Sequence, residues 1–525
     1  MSQRFDHVIV GSGINSLVAA SLLSRGGSSV VVLEREGRLG GCMRAEELFP
    51  GYLHEVLSSW YPLFATSPAY EALGDDLHER GLELANSDTP TAVLAPDGSS
   101  LVLTTDAAEN ARRMNQISQG DGDRYSAAIG QFFEENSELV FSLLGNEPRS
   151  WQTIKALLRE TRKKGAGDTL GFFGEALGTC RSWLERDIES DLVRALVAPW
   201  VLHAGLGPDD AYSGVMAKLI MGTVSLAGMP VVKGGSSNLV EAFRELITDY
   251  GGVTITGADV DSIDVQGGRA VSVTTTSGET YSADSAVIAN VTPTQLYGRL
   301  LREPLVPAEI RADAENYRYG RSDMQIHFAL NTLPEWGSVE IGEVPLVHLT
   351  SGLDGVSRAV NEAERGLLPA QPTVVVGQPT VLDPSRAPEG GAILWIQLQE
   401  LPARIRGDAR GVIEAPDGVW TEEVRERYAD RIQSMLAAHI PNLEQSIVGR
   451  RVFSPADLES LNINLVGGDP YSGACTIDQF LAWRPLPGTK NHETPVRGLY
   501  HIGASTHPGP GLGGVSGYMV ASKFL

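Results

Sequence analysis

The stretch His7-Val-Ile-Val-Gly11-Ser-Gly13-Ile-Asn-Ser16 decides the fold of this chain. Its apolar run leads directly into a glycine turn, and small and apolar residues of helical character continue to Leu23. A second apolar run, 30–33, ends at Glu34. This order of strand, glycine turn, helix, strand and acid is the pattern of a dinucleotide-binding βαβ unit.

Each residue of the glycine turn has an expected task. Gly11 allows the tight turn, and Gly13 lets the main chain approach a pyrophosphate. The helix start, Ile14-Asn15-Ser16, offers free N–H groups and the positive end of the helix dipole to the same pyrophosphate. Ser16 stands where the pattern has its third glycine, so we expect slightly wider spacing of helix and strand.

The acid and the loop after it extend the predicted site. Glu34 follows the glycine turn at about the 20-residue distance where a carboxylate accepts from ribose hydroxyls. The same carboxylate would repel a 2′-phosphate, so NADP is not expected. Gly40 and Gly41 are expected to bring backbone close to a second part of the cofactor, with Arg35 and Cys42 beside it.

Bulk properties exclude several classes of function. A chain of 525 residues is too long for one ordinary core, so we expect two or more domains. The net charge of −23 argues against a nucleic-acid partner. Cys42, Cys180 and Cys475 form no CxxC pair, so no metal site or dithiol motif is predicted. The cysteines, the absence of a signal peptide and the lack of a long apolar run favour a cytoplasmic protein.

The N-terminal motifs carry a family resemblance. Gly11-x-Gly13, Glu34 and Arg38-Leu-Gly-Gly41 resemble the fingerprint of FAD-dependent oxidoreductases of the amine oxidase and phytoene desaturase superfamily. The resemblance implies non-covalently bound FAD, with its ADP half on the βαβ unit. It also implies that Val260 packs on the adenine and that the strand ending at Asn290 completes the sheet.

Motifs near the C-terminus extend the resemblance. Gly467-Gly-Asp469-Pro and Asp478-Gln479…Arg484-Pro-Leu-Pro-Gly488 resemble an element of the phytoene-dehydrogenase-like branch, which includes the retinol saturases. A glycine loop and short helix follow. The resemblance implies that this segment meets the pyrophosphate, the ribitol and the flavin edge. Its expected contacts are Gly503, Ala504, Gly513, Gly514 and Val515.

The predicted elements assign three separate segments of the chain to the cofactor domain. We predict an α/β protein with a discontinuous Rossmann-type FAD-binding domain formed by residues 1–75, 225–300 and 466–525. Residues 76–224 and 301–465 are expected to form an α+β substrate-binding domain, a sheet with a helical roof.

The sequence gives only weak indications of which residues are catalytic. No acid–base pair is evident, and desaturase-type members of the resembled family manage largely with the flavin and an apolar tunnel. Lys233, before Gly234-Gly235, is a candidate for holding a water or steering oxygen near flavin N5. His507, inside the C-terminal glycine loop, is a second candidate whose role is structural or catalytic.

The resemblance implies oxidation or desaturation of a lipophilic small molecule by hydride transfer to flavin N5. Flavin-dependent amine oxidation and redox-neutral double-bond isomerisation stay open, as does a non-catalytic FAD-binding protein. No second dinucleotide motif marks an NAD(P)H domain, so oxygen or a quinone is expected to accept the electrons. The basic amphipathic stretch 151–164 predicts either a solvated helix face or peripheral contact with a membrane surface.

Overall fold

The computed structural model describes residues 3–302 and 305–525. The strands are β1 Gln3–Val10, β2 Val30–Leu33, β3 Ala45–Phe49, β4 Tyr52–Glu55, β5 Leu84–Ala85, β6 Thr91–Leu94, β7 Ser100–Leu103, β8 Val231–Val232, β9 Val253–Ile255, β10 Val260–Gln266, β11 Arg269–Thr275, β12 Thr280–Asn290, β13 Ser322–Leu330, β14 Leu346–Leu349, β15 Leu367–Leu368, β16 Val374–Gly377, β17 Ala392–Leu401, β18 Gly407–Asp408, β19 Ile447–Phe453 and β20 Leu499–Ile502.

The α-helices are α1 Ile14–Arg25, α2 Pro62–Ala65, α3 Pro68–Glu79, α4 Ala107–Ile117, α5 Asp121–Gly145, α6 Trp151–Lys164, α7 Ala166–Ala176, α8 Cys180–Asp187, α9 Asp191–Val197, α10 Ser213–Ala227, α11 Ser237–Asp249, α12 Ala308–Glu315, α13 Val339–Gly342, α14 Gly352–Glu364, α15 Pro379–Leu382, α16 Glu422–Ala437, α17 Leu443–Ser446, α18 Pro455–Leu461 and α19 Val515–Ala521. A π-helical segment spans Thr294–Leu300, and 3₁₀ segments include Ala198–Ala204 and Pro384–Arg386.

Sheet A brings together distant parts of the chain. Its strand order is β10-β11-β12-β1-β2-β9, with β20 also paired to β12. The pairs β1–β2, β1–β12, β2–β9 and β12–β20 are parallel. All seven strands fall in the segments predicted for the cofactor domain. The parallel core therefore has the last strand of the chain two positions from the first.

The strand residues explain why sheet A is buried on both faces. Ile9, Val30 and Val32 point to one side, into the core that includes α1 and α11. Val8 and Val31 point to the other side, into a core that includes the π-helical segment. A parallel strand covered on both faces needs such a continuous apolar run. The two apolar runs in the sequence predicted β1 and β2 for this reason.

The strand expected to end at Asn290 is the longest of sheet A. β12 is continuous over Thr280–Asn290 and ends at that residue. Its pairing with β1 shifts register between Phe5 and His7. This irregularity lets one strand pass the polar residues 284–285 without ending.

Sheet B lies in the other half of the molecule. Its order is β19-β13-β17-β16-β14-β6-β7. The face carrying Leu394, Ile396 and Leu398 packs on an apolar core that includes α16. The opposite face, which carries Trp395, lies against the helices α8 to α10. We call this second face the inner face.

All strands of sheet B come from the segments predicted for the substrate domain. A short pair, β5 with β8, joins the two halves through one strand from each. The exact domain bounds stay a prediction. Within residues 3–302 and 305–525, no helix is long and apolar enough to cross a membrane.

Candidate functional site

Two glycine loops meet at the start of α1. Gly13 precedes the helix with extended backbone, and no side chain caps the first helical N–H groups. A Cβ on Gly41 would lie 3.1 Å from the Cα of Gly13, and Gly40 forms a parallel bridge with Gly13. The Ser16 amide donates to the Gly13 carbonyl at 2.8 Å, so the amides of Ile14 and Asn15 are the ones that fit the pyrophosphate of a dinucleotide.

Glu34 is buried and holds these loops together. Its Oε2 accepts from the Ser12 amide at 2.9 Å and from Ser12 Oγ at 2.6 Å, and its Oε1 accepts from the Glu36 amide at 2.9 Å. Ser12 Oγ in turn accepts from the Gly40 amide at 3.0 Å. A carboxylate has about four acceptor positions, so one on Oε1 is left for a ribose hydroxyl. The pattern pointed to Glu34 but not to Ser12.

Asn290 ends β12 at the centre of the glycine turns. A Cβ on Gly11 would lie 3.0 Å from the Asn290 carbonyl oxygen, and a Cβ on Gly503 would overlap Asn290 Oδ1. Asn290 Nδ2 donates to Ser16 Oγ at 2.9 Å. Ser16 is therefore a hydrogen-bond partner of the strand end, a role that glycine would not supply.

The two ends of the chain join through Asn15. Its Oδ1 accepts from Ser516 Oγ at 2.8 Å and from the Gly517 amide at 3.3 Å. Ser516 Oγ also accepts from the Gly503 amide at 2.9 Å. Gly514 takes a φ of +71° immediately before α19, so the predicted residues Gly513 to Val515 form the turn into that helix. The structure thus brings the N-terminal and C-terminal predicted segments together.

Arg484 supports the C-terminal loop from behind. Its guanidinium is buried and donates to the carbonyl of Ala504 at 2.8 and 3.1 Å. It also donates to the carbonyls of Tyr471 at 2.9 Å and Ala474 at 3.2 Å. The Arg-Pro-Leu-Pro-Gly motif marked this arginine, but the motif alone did not reveal that it holds the backbone at Ala504.

The three other predicted cofactor residues have different surroundings. Val260 is buried at the start of β10, and its carbonyl accepts from Arg299 Nη1 at 2.7 Å. The Cys42 carbonyl accepts from Ser58, and burial raises the pKa of the Cys42 thiol to about 11, so the thiol stays protonated. Arg35 is exposed and pairs with Glu36 at 3.2 Å, so its side chain is not part of the cluster.

The two catalytic candidates have other partners. Lys233 is more than half exposed, and its Nζ lies 3.1 Å from Glu83 Oε2. This surface ion pair argues against a role beside a flavin. His507 is buried, its Nε2 donates to the carbonyl of Leu144 at 3.1 Å, and burial lowers its pKa to about 3. A neutral imidazole that fastens α5 to the C-terminal loop favours the structural role.

A buried ion network lies between the two sheets. Arg386 is fully buried, with Nη1 3.1 Å from Glu55 Oε1 and Nε 3.0 Å from Asp383 Oδ2. Glu55 also accepts from the Ser236 amide, and Asp383 from the Gly234 amide, both at 2.7 Å. The network therefore fixes the Gly234-Gly235 turn at the start of α11. No sequence motif marked it.

Comparison with known proteins agrees with this geometry. The family model for flavin containing amine oxidoreductase matches residues 17–365. Rat pyridine nucleotide-disulfide oxidoreductase domain-containing protein 2 is 27% identical over 98% of this chain and 92% of its own length. A limonene dehydrogenase polypeptide of Castellaniella defragrans is 24% identical over 99% and 94%, and the lycopene-forming phytoene desaturase of Paracoccus sp. is 26% identical over 97% and 95%.

A solved structure supports the fold assignment. A triple mutant of putrescine oxidase superposes with a TM-score of 0.64 at 17% identity, covering 100% of this chain and 99% of its own. The predicted α/β fold, with a Rossmann-type FAD domain and a substrate domain, is confirmed. The chain belongs to the flavin containing amine oxidoreductase family, and it is an FAD-dependent oxidoreductase.

Proposed function

We propose that the protein oxidises or desaturates a lipophilic small molecule, with oxygen or a quinone as the electron acceptor. The observation that carries this proposal is an aromatic pair on the inner face of sheet B. The rings of Trp60 and Trp395 are 5.1 Å apart, edge to face, and a Cβ on Gly377 would overlap Trp60. Limonene dehydrogenase and phytoene desaturase, by their names, act on hydrocarbons.

We further propose that the junction of the two chain ends would hold FAD, which would supply hydride acceptance. Gly11, Gly13 and the N–H groups of Ile14 and Asn15 would bind the pyrophosphate, and Glu34 would accept from the ribose. Gly40 and Gly41 would complete the binding site, with Val260 toward the adenine and Gly503 to Val515 toward the flavin. The chain's own contribution is to bind, orient and exclude water around the cofactor.

Amine oxidation is the second candidate. The indole faces of Trp60 and Trp395 also suit a cation, because the face of an aromatic ring attracts positive charge. The superposed putrescine oxidase is named for such a substrate. The two candidates predict different substrates for the same flavin, so one experiment separates them.

The experiment mixes the holoenzyme anaerobically with limonene, perillyl alcohol or cyclohexylamine. We expect a lipophile without a positive charge to bleach the visible flavin absorbance, because hydride transfer reduces the flavin. Bleaching by cyclohexylamine alone would favour the amine oxidase. Conversion of a probe without net bleaching would favour isomerisation. Reoxidation by air, compared with a soluble quinone, then identifies the acceptor.

We also propose that the protein is cytoplasmic and that α6 contacts a membrane surface near the substrate entrance. Trp151, Ile154 and Leu158 are each between 46% and 60% exposed on this helix. Three of its basic residues pair with acids, since Arg159 and Lys163 reach Glu138 and Lys164 reaches Glu160. Apolar contact, more than charge, therefore carries this proposal. The three unpaired cysteines support a reducing compartment.

Replacing Trp151, Ile154 and Leu158 together by serine is expected to weaken binding to phosphatidylcholine vesicles containing phosphatidylglycerol by at least about tenfold, because burying each large side chain contributes roughly 1.5–3 kcal/mol. Co-sedimentation measures this. Leu333→Ser, at a site that is 62% exposed in another part of the molecule, is the control. Equal binding of the wild type and the triple variant would refute the membrane contact.

A further inference from the structure

The inner face of sheet B changes from aromatic to polar along its strands. The pairing places Gln325 opposite Gln397, and Gln397 opposite Val375 on the next strand. His348 is the neighbour of Val375 on the far side. One step toward the Trp395 end, the row holds His327, Trp395 and Gly377, and the Trp60 ring packs over Gly377. One step the other way, β17 carries Gln399. The face beneath α8 to α10, which we call the floor, thus carries two indole rings at one end and side-chain amides at the other.

A chain of hydrogen bonds fixes the direction of the polar groups. Gln399 Nε2 donates to Tyr471 Oη at 2.9 Å, and the tyrosine hydroxyl donates to the carbonyl of Leu202. The same Nε2 lies 3.5 Å from His203 Nδ1. Because an amide nitrogen can only donate, this ring nitrogen is the acceptor. His203 Nε2 therefore donates to His348 Nε2 at 2.9 Å. This leaves the N–H at His348 Nδ1 as a donor.

Within residues 3–302 and 305–525, several buried atoms of this floor have no hydrogen-bond partner. They include His348 Nδ1, Gln399 Oε1, Gln325 Oε1 and one carboxyl oxygen of Asp323. Leaving a buried polar group unpaired costs roughly 1–3 kcal/mol, so such a cluster marks an interior space that holds water or a ligand. His203, Tyr471 and Gln397 each keep part of their surface accessible, as expected for residues that line such a space.

The polar floor carries no net charge at neutral pH. Burial lowers the pKa of His203 to about 4 and lowers that of His348 further, so both imidazoles are neutral. Burial raises the pKa of Asp323 to about 8, so this carboxyl is mostly protonated. Uncharged donors and acceptors suit a neutral oxygen group.

The floor adjoins both segments proposed to hold the cofactor. Gln325 Nε2 donates to the carbonyl of Leu57 at 3.2 Å, and the next residue, Ser58, donates to the carbonyl of Cys42. On the other side, Arg484 joins the carbonyls of Tyr471 and Ala504. The polar end of the floor therefore lies between the Gly-Gly loop and the C-terminal glycine loop.

From this geometry we infer that the substrate is an amphiphilic lipophile with a neutral hydroxyl group, which Gln325 and Gln399 bind while the carbon skeleton lies along Trp60 and Trp395. The inference rests on the proposed function and specifies its substrate class. Gln325 Oε1 and Gln399 Oε1, on adjacent strands, are the acceptors for the substrate hydroxyl.

Calorimetry with three probes that share one carbon skeleton tests this. Limonene, perillyl alcohol and perillyl amine are titrated into holoenzyme whose flavin has been reduced, so that the probe cannot be oxidised. We expect the alcohol to bind about tenfold more tightly than limonene or the amine, the effect of about one additional buried hydrogen bond. Gln399→Leu should remove that preference and leave limonene affinity unchanged.

Because Gln399 also contacts Tyr471, Gln325→Met is the second variant, and Gln131→Leu on exposed α5 is the control. Limonene binding as tightly as the alcohol, tightest binding of the amine, or an alcohol preference that survives both substitutions would overturn the inference. The proposed function fails differently. In that case, no probe bleaches the oxidised flavin, whatever its affinity.

Discussion

Replacing Arg386 by methionine is expected to lower the free energy of unfolding by about 3–5 kcal/mol, the range for breaking a buried ion pair from one side. Arg386, Glu55 and Asp383 are each no more than 1% exposed. Without the guanidinium, two carboxylates stay in the interior without a cation, and the Val232 carbonyl loses its donor. Denaturant unfolding measures the difference.

Lowering the pH should reduce the difference in free energy of unfolding between the wild type and Arg386→Met. Burial already raises the pKa of Glu55 although Arg386 opposes the shift. In the variant the pKa of Glu55 rises further above its unfolded value. The ionised carboxyl then costs stability at neutral pH, and that cost disappears as the pH falls through the folded pKa. Arg4→Met removes an exposed pair with Asp284 and should leave the free energy of unfolding nearly unchanged, because solvent screens such a pair. Equal effects of the two substitutions would refute a structural role for the network.

Replacing Glu34 by alanine is expected to weaken FAD binding by about 100-fold or more. A hydrogen bond to a charged group contributes roughly 1.5–3 kcal/mol, and the substitution removes both the ribose acceptor and the partner of Ser12. Because Ser12 Oγ also binds the Gly40 amide, both glycine loops lose their fixed position. The ratio of flavin to protein absorbance after gel filtration measures retention.

Glu36→Ala is the matched control for Glu34. Its carboxylate pairs at the surface with Arg35, while its backbone amide, which the substitution keeps, donates to Glu34. This variant should retain FAD as the wild type does. Full flavin content in Glu34→Ala would show that the carboxylate is not needed for the cofactor.

The periodic parts of the fold follow from the sequence. The apolar runs before Gly11 and before Glu34 become neighbouring parallel strands, because each must be covered on both faces. α11 begins two residues after the Gly234-Gly235 turn, and Thr421 caps α16, which begins one residue later. Local patterning determines such elements, since each carries its own periodicity and caps.

The arrangement of the site depends on contacts that sequence patterns do not contain. Asn15 meets Ser516 across 501 positions of the chain, and Arg386 meets Glu55 across 331. Neither pair has a local signature. The inner face of sheet B was not predicted either, because Gln397 and Gln399 belong to no sequence motif. Only the structure shows that they lie beside polar residues of β13, β14 and the segment around His203.

The structure of the protein with FAD bound tests the central claim most directly. The claim is that the N-terminal βαβ unit and the C-terminal glycine loop form one cofactor site through Asn15, Asn290 and Ser516. The prediction is that the pyrophosphate contacts the backbone at Gly13 and the first turn of α1, while the flavin contacts residues between Gly503 and Val515. FAD bound to the βαβ unit without contact to the C-terminal loop would contradict the claim.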